Sequence, residues 1–228
     1  MRVFLILLII ATQYSLSYGK ATGLKPKQKN HGSGIVEYTK AIELEPDPAI
    51  IHFNKGNKKF ELGDYRGAIA DYNKAIELSP DYADAYFNRG VAREKLDDYR
   101  GAIADFSKAI ELKPDDAIAY EHRGRAKLKL DDYSGAIADL SKAIGLKPDD
   151  AYAYYSRGIA KWKLGDTRGA IADYSKAIEF RPDIADGYYV RGLAKLLLGD
   201  MNGGCLDLSK AGELGFIEAY EDIKKFCQ

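Results

Sequence analysis

The sequence predicts an all-α solenoid, and three observations carry that reading. The segment DYRGAIADYNKAIELSPDYADAYFNRG from Asp64 returns as DYRGAIADFSKAIELKPDDAIAYEHRG from Asp98, then again from Asp132 and Asp166, at a spacing of 34 residues without insertion. Within each copy the apolar residues recur at three- and four-residue intervals, the pattern of an amphipathic helix. No stretch alternates apolar and polar residues as a half-buried strand would. A period of this length marks a stacked array, in which each unit buries its apolar face only against its neighbours.

The elements follow in chain order. Residues 1–19 join a positive Arg2 to an apolar run, Val3 to Ala11, and then to the small residues Ser15, Ser17 and Gly19. That is the layout of a secretory signal peptide, cleaved after Gly19 or, as second choice, Ser17. The run is short for a bilayer span, so a membrane anchor is the lesser alternative. Residues 20–33 are polar and rich in Gly and Lys and read as a flexible linker. GIVEYTKAIELEP, from Gly34, matches the second half of the repeat alone, giving a half-repeat over 34–48. Full repeats follow at 49–82, 83–116, 117–150, 151–184 and 185–218, with a capping helix at 219–228.

In repeat 83–116, two helices of about a dozen residues, joined by a tight turn at Leu96 to Tyr99, account for nearly all positions. Asp98 is placed to cap the second helix by accepting from its unpaired N–H groups. Pro114 closes that helix, and Asp115 or Asp116 caps the next. Gly56, Gly90, Gly124, Gly158 and Gly192 share one position inside the first helix. Glycine there costs roughly 1 kcal/mol relative to alanine, so its recurrence predicts a crossing too close for a methyl group. Ala102 and Ala109 are the expected partners of Gly90.

The unit resembles the tetratricopeptide repeat. Tyr86, Gly90, Tyr99, Ala102, Phe106, Ala109 and Pro114 stand where that family places an aromatic at position 4, Gly or Ala at 8, Tyr at 17, Ala at 20, an aromatic at 24, Ala at 27 and Pro at 32. His52, Leu140 and Thr167 depart from the pattern, and the last repeat drifts further at Met201, Gly204, Leu208 and Phe216. The resemblance implies a right-handed superhelical solenoid of helix-turn-helix repeats with a C-terminal capping helix.

Two columns depart from the family. Position 7, usually apolar there, carries Lys55, Arg89, Arg123, Arg157 and Arg191, and position 23 carries Asp71, Asp105, Asp139, Asp173 and Asp207. In an antiparallel helix pair these positions face each other, so a ladder of ion pairs is expected. The matched aspartates argue against a row of free arginines binding an acidic ligand. Cys205 and Cys227 lie on the last two helices, where an oxidising compartment would favour a bridge; free buried thiols are the alternative. Two Cys and three scattered His do not make a zinc site.

The chain carries 34 Lys and Arg against 34 Asp and Glu. That balance gives no reason to expect nucleic acid or docking on an anionic membrane. No nucleophile elbow, zinc-protease or phosphate-loop motif is present. The expectation is therefore a non-enzymatic, exported, secreted or periplasmic scaffold without cofactor or metal. Its partner is a protein or peptide, with a membrane involved only through an uncleaved N-terminus. The alternatives are a subunit of an envelope or secretion complex that uses its convex face or ends, and an unrecognised enzyme.

The resemblance implies that the first helices line a concave groove. The candidates there are Phe53, Asn54, Asn57, Phe87, Asn88, His122, Arg125, Lys129, Tyr152, Tyr155 and Tyr189, with Phe87, Tyr155 and Tyr189 forming an aromatic stripe. Chaperone-binding relatives clamp a terminal carboxylate with Lys, Asn and Arg. Asn57 and Asn88 fit that clamp, but Phe53, Ile118 and His122 replace its cations, so it is rejected.

Overall fold

The computed structural model describes residues 47–227. The expected signal peptide and linker, and all of the half-repeat before Asp47, lie outside them. Among the described residues there are eleven helices and no strand: α1 (Pro48–Glu61), α2 (Tyr65–Leu78), α3 (Ala83–Glu94), α4 (Tyr99–Leu112), α5 (Ala117–Lys129), α6 (Tyr133–Leu146), α7 (Ala151–Lys163), α8 (Thr167–Phe180), α9 (Ala185–Leu197), α10 (Met201–Glu213) and α11 (Ala219–Phe226). No helix among them is long and apolar enough to cross a membrane.

Odd-numbered helices from α1 to α9 pair with the helix that follows, and each second helix packs on the first helix of the next pair. The first helices also touch one another, α1 on α3, α3 on α5 and α5 on α7, so they form one layer. Local chemistry repeats with the period. Asp64, Asp98, Asp132, Asp166 and Asp200 each accept a hydrogen bond from the N–H of a glycine three residues on, at 2.9–3.0 Å. Those glycines are steric requirements, because a Cβ there would run into the capping carboxylate. Asp116 and Asp150 cap α5 and α7, whereas Tyr82 and Ile184, the residues just before α3 and α9, supply no side-chain cap. Each turn within a pair passes through positive φ, at Gly63 or at Asp97 (57°), for example. Glycine meets that demand without strain and aspartate tolerates it.

The close crossing is present, but its partner is not the alanine column. A Cβ on Gly90 would lie 2.7 Å from Phe106 Cε1, and Tyr72, Leu140 and Tyr174 stand likewise over Gly56, Gly124 and Gly158. The bulky residue at position 24 fills the space beside the glycine, and the alanines Ala68, Ala102, Ala136 and Ala170, fully buried, let the backbones close around it. At the last repeat a Cβ on Gly192 would meet the backbone oxygen of Gly204 at 3.0 Å as well as Leu208 at 3.2 Å.

The arginine ladder is more extensive than two columns. Arg123 Nε and Nη2 donate to Asp139 at 2.8 and 2.6 Å, and Nη1 donates to Ser107 of the preceding repeat at 3.1 Å. Its guanidinium also lies 5.5 Å from the Tyr120 ring centre. Arg157 and Arg191 repeat the arrangement, and Arg89 does so with Asn73 in place of the serine. A second cation, at Arg93, Lys127, Lys161 or Lys195, reaches the same aspartate at 2.8 Å. The first rung differs from expectation. Asp71 pairs with Lys59 at 2.6 Å and His52 at 3.3 Å, while Lys55 stays exposed. An ammonium lacks the planar fork that binds a carboxylate and stacks on a ring, and His52 occupies the place of the stacking tyrosine.

The array is closed at its C-terminal end. Cys205 of α10 and Cys227, just after α11, are joined by a disulfide with Cα atoms 5.8 Å apart, at a sequence separation of 22. Tyr189 donates to Asp222 of α11 at 2.8 Å and stacks on Phe216 with ring centres 4.3 Å apart.

Two outcomes follow from this packing. Gly158→Leu should destabilise the protein by more than about 2 kcal/mol in urea unfolding, because Tyr174 Cε1 stands 2.5 Å from the new Cβ and the buried ring has nowhere to go. A loss below about 0.5 kcal/mol would show that the crossing is loose. Reduction of Cys205–Cys227 should shift the intact mass by two hydrogens and lower stability by about 3 kcal/mol on the chain-entropy account. Two alkylatable thiols in protein taken from its native compartment would refute the bridge.

Candidate functional site

The layer of first helices exposes a run of adjoining cavities. One, of about 520 Å³, is bounded by Asn57, Phe60, Glu61, Tyr72, Phe87, Asn88, Val91, Ile118 and His122. A second, of about 550 Å³, is bounded by Glu121, His122, Arg125, Asp150, Tyr152, Tyr155 and Ser156. Two smaller ones, of about 260 and 310 Å³, lie toward the C-terminal ends of the same helices, at Lys95, Lys129 and Lys163. His122 and Arg125 are shared between neighbouring cavities, so the four form one groove across repeats 49–82 to 151–184.

At the N-terminal step the two asparagines are coupled. Asn57 Oδ1 accepts from Asn88 Nδ2 and from the Tyr72 hydroxyl, both at 2.8 Å. This orientation leaves the Asn57 amide N–H groups and the Asn88 carbonyl for a ligand. Burial pushes the Tyr72 hydroxyl up to about 12, so it remains a neutral donor. Tyr174 holds the equivalent place in repeat 151–184, where Ile159 replaces the asparagine, and its buried hydroxyl has no partner among the described residues.

The aromatic stripe is interrupted. Phe87 packs edge-on to His122 at 5.3 Å and against Phe106 at 5.6 Å, and Tyr155 packs against Tyr174 at 6.0 Å. Between them, Glu121 stands where the other repeats carry aromatics, and it is 6% exposed. Its carboxylate lies 3.3 Å from Arg125 and 3.8 Å from His122, which in turn meets Glu94 at 2.7 Å. Burial raises the Glu121 pKa above the usual carboxylate range, against the opposing pull of Arg125 and His122. Burial also pushes Tyr155 up to about 12.

The remaining candidates divide. Asn57, Phe87, Asn88, His122, Arg125, Lys129, Tyr152 and Tyr155 line the groove. Phe53 turns its ring onto Tyr82 at 4.8 Å and Tyr72 at 5.9 Å and lines none of these cavities, and neither does the exposed Asn54. Tyr189 is taken up by the cap, and Tyr152 also stacks with Arg181 at the groove edge. Lys95, Glu121 and Lys163 hold groove-facing positions of the repeat and line the groove as that placement predicts. Glu94 lies outside those positions, and nothing in the repeat pattern marks it. Among the described residues no group of His, Cys, Asp and Glu is arranged to hold a metal ion.

Profiles described as TPR repeat match residues 56–97 and 124–165, and those described as tetratricopeptide repeat match 83–116 and 151–184. The chain belongs to the tetratricopeptide-repeat family, and its fold is that family's right-handed superhelical solenoid. Comparison with curated proteins gave no match. Among solved structures, the crystal structure of MamA is 30% identical with a TM-score of 0.68, the alignment covering 72% of this chain and 96% of that one. YrrB, described as a TPR protein with an unusual peptide-binding site, is 25% identical with a TM-score of 0.69, covering 82% and 98%. The first TPR domain of Spaghetti (RPAP3), bound to the HSP90 peptide SRMEEVD, is 28% identical with a TM-score of 0.51, covering 52% and 94%.

The buried carboxylate makes a pH-dependent prediction. The Glu121 pKa is higher folded than unfolded, so its contribution to stability is greatest when protonated and declines as pH rises through the folded value. Glu121→Gln should therefore raise the melting temperature at neutral pH, and the gain should fade below about pH 4, the ordinary glutamate range. A melting temperature lowered at neutral pH would show that the pairs with Arg125 and His122 outweigh burial.

Proposed function

We propose that this protein is an exported, non-enzymatic scaffold that holds a segment of a partner protein in the groove of its first helices. The carrying observation is that the cavities of four successive repeats run together through His122 and Arg125, with apolar walls and open amide groups at Asn57 and Asn88. Open amides beside aromatic walls suit an extended peptide, whose backbone needs partners and whose side chains need pockets. The peptide-binding descriptions of YrrB and the RPAP3 domain support the same reading. It does not extend to the terminal-carboxylate clamp, since Phe53, Ile118 and His122 bring no fixed positive charge. Export rests on the signal-peptide layout of residues 1–19.

A second reading has its own observation. Leu197, Leu206 and Ile217, at the C-terminal end, are 66–74% exposed. Such residues suit a subunit that docks end-on in an envelope assembly.

Affinity capture from native cells separates the two. Tyr155→Ala with Arg125→Ala should remove most of the captured partner, while Leu206→Ser with Ile217→Ser should leave it unchanged. The reverse pattern would refute the groove reading. The chain recovered in the same experiment should begin near Lys20 and lie outside the cytoplasm; an intact Met1 in a soluble cytoplasmic pool would refute export.

A further inference from the structure

The groove has two unlike edges, because its helices run parallel. On one edge stand the helix N-termini, where Asp116 and Asp150 are occupied as caps. On the other stand the C-terminal ends, which carry Lys95, Lys129 and Lys163 at the same place in three successive repeats. These lysines differ from the neighbouring cations two positions earlier. Arg93, Lys127 and Lys161 are each consumed by a buried aspartate. Lys95, Lys129 and Lys163 pair with no carboxylate among the described residues and face the two smaller cavities. Those cavities share Arg125 and Lys129, so the basic row is unbroken from Lys95 to Lys163. Their two carboxylates are already engaged, Glu94 with His122 and Asp131 with the Tyr133 hydroxyl. The row stops at both ends: the same place holds Glu61 in the first repeat and Leu197 in the last.

We infer that this edge selects an acidic peptide segment with a carboxylate at every third residue, laid across repeats 83–116, 117–150 and 151–184. The inference rests on the groove reading above and adds the chemistry of its ligand. Charge complementarity names the sign: a row of unpaired cations in partly enclosed cavities favours an anionic partner and steers its approach. Spacing names the pattern. Packed helices lie about 8–10 Å apart, and a polyproline-II segment advances about 9 Å per three-residue turn. A carboxylate at every third residue then meets one lysine per repeat. The residues between turn toward Val91, Leu128, Tyr155 and Ile159, the apolar lining of the same cavities.

Fluorescence anisotropy on residues 20–228 tests this, using a labelled, C-terminally amidated peptide of repeated Glu-Leu-Pro triplets against its Gln-Leu-Pro counterpart. The Glu peptide should bind at least about tenfold tighter, and the margin should shrink between low and physiological salt. The combined variant Lys95→Gln, Lys129→Gln, Lys163→Gln should lose the margin while keeping its helical circular dichroism; all three side chains are outside the packed core. Equal binding of the two peptides, a margin that survives in the variant, or binding of neither peptide overturns the inference. None of these decides the groove reading, which stands or falls on capture by the Tyr155 and Arg125 variant.

Discussion

The interaction on which the stack depends is the guanidinium in the first helix of each inner pair. Arg123 touches three helices at once: it stacks on Tyr120 of its own helix, grips Asp139 on the next, and reaches back to Ser107 on the one before. Apolar contact between alanine-lined helices is attractive but tolerant of sliding, because it carries no direction. A planar fork held on both sides is not tolerant in that way. Asp105, Asp139 and Asp173 are almost fully buried, so desolvation consumes much of each pair's Coulombic gain. The ladder's main effect is then on register, and register is what brings the first helices into one layer.

That division of labour explains why the groove can differ from repeat to repeat while the interior does not. The glycine, the alanines and the bulky residue at position 24 are bound to one another by contact, and a change in one must be answered by the others. Residues facing the groove answer to no such set. Asn57 can meet Asn88 in the first two repeats, Glu121 can stand among aromatics in the third, and Ile159 can leave the Tyr174 hydroxyl unpaired in the fourth. The last of these would be a defect in a core designed for stability alone.

Most of the fold was legible because the period sets every helix, turn and cap. The close glycine crossing was legible too, but the residue lying over it was not: which side chain covers a glycine depends on where a bond from a neighbouring helix points, and spacing does not say. The ladder was read as two columns from its opposed charges. Its serine and second cation carry no such signature, because each also suits an exposed helix face. Lys55 matches the column in charge but not in shape, and it forms no rung. In the groove, Phe53 and Tyr189 sit in the terminal repeats, where aromatic side chains fold onto Tyr82 and Phe216 rather than face outward. Periodicity describes the middle of an array better than its ends.

The disulfide lies at one end alone, and that asymmetry gives the array a direction of failure. A repeat array loses its units in sequence from whichever terminus is least held. With Cys227 tied to Cys205 and Tyr189 tied to Asp222, the C-terminal units open last. The first described pair, α1 and α2, has the weaker rung at Asp71 and Lys59 and would open before the pairs that follow it. That pair carries Asn57, half of the amide couple, so a partner held as proposed above would act as a latch: amide hydrogens in α1 and α2 would exchange slowly only while the groove is occupied.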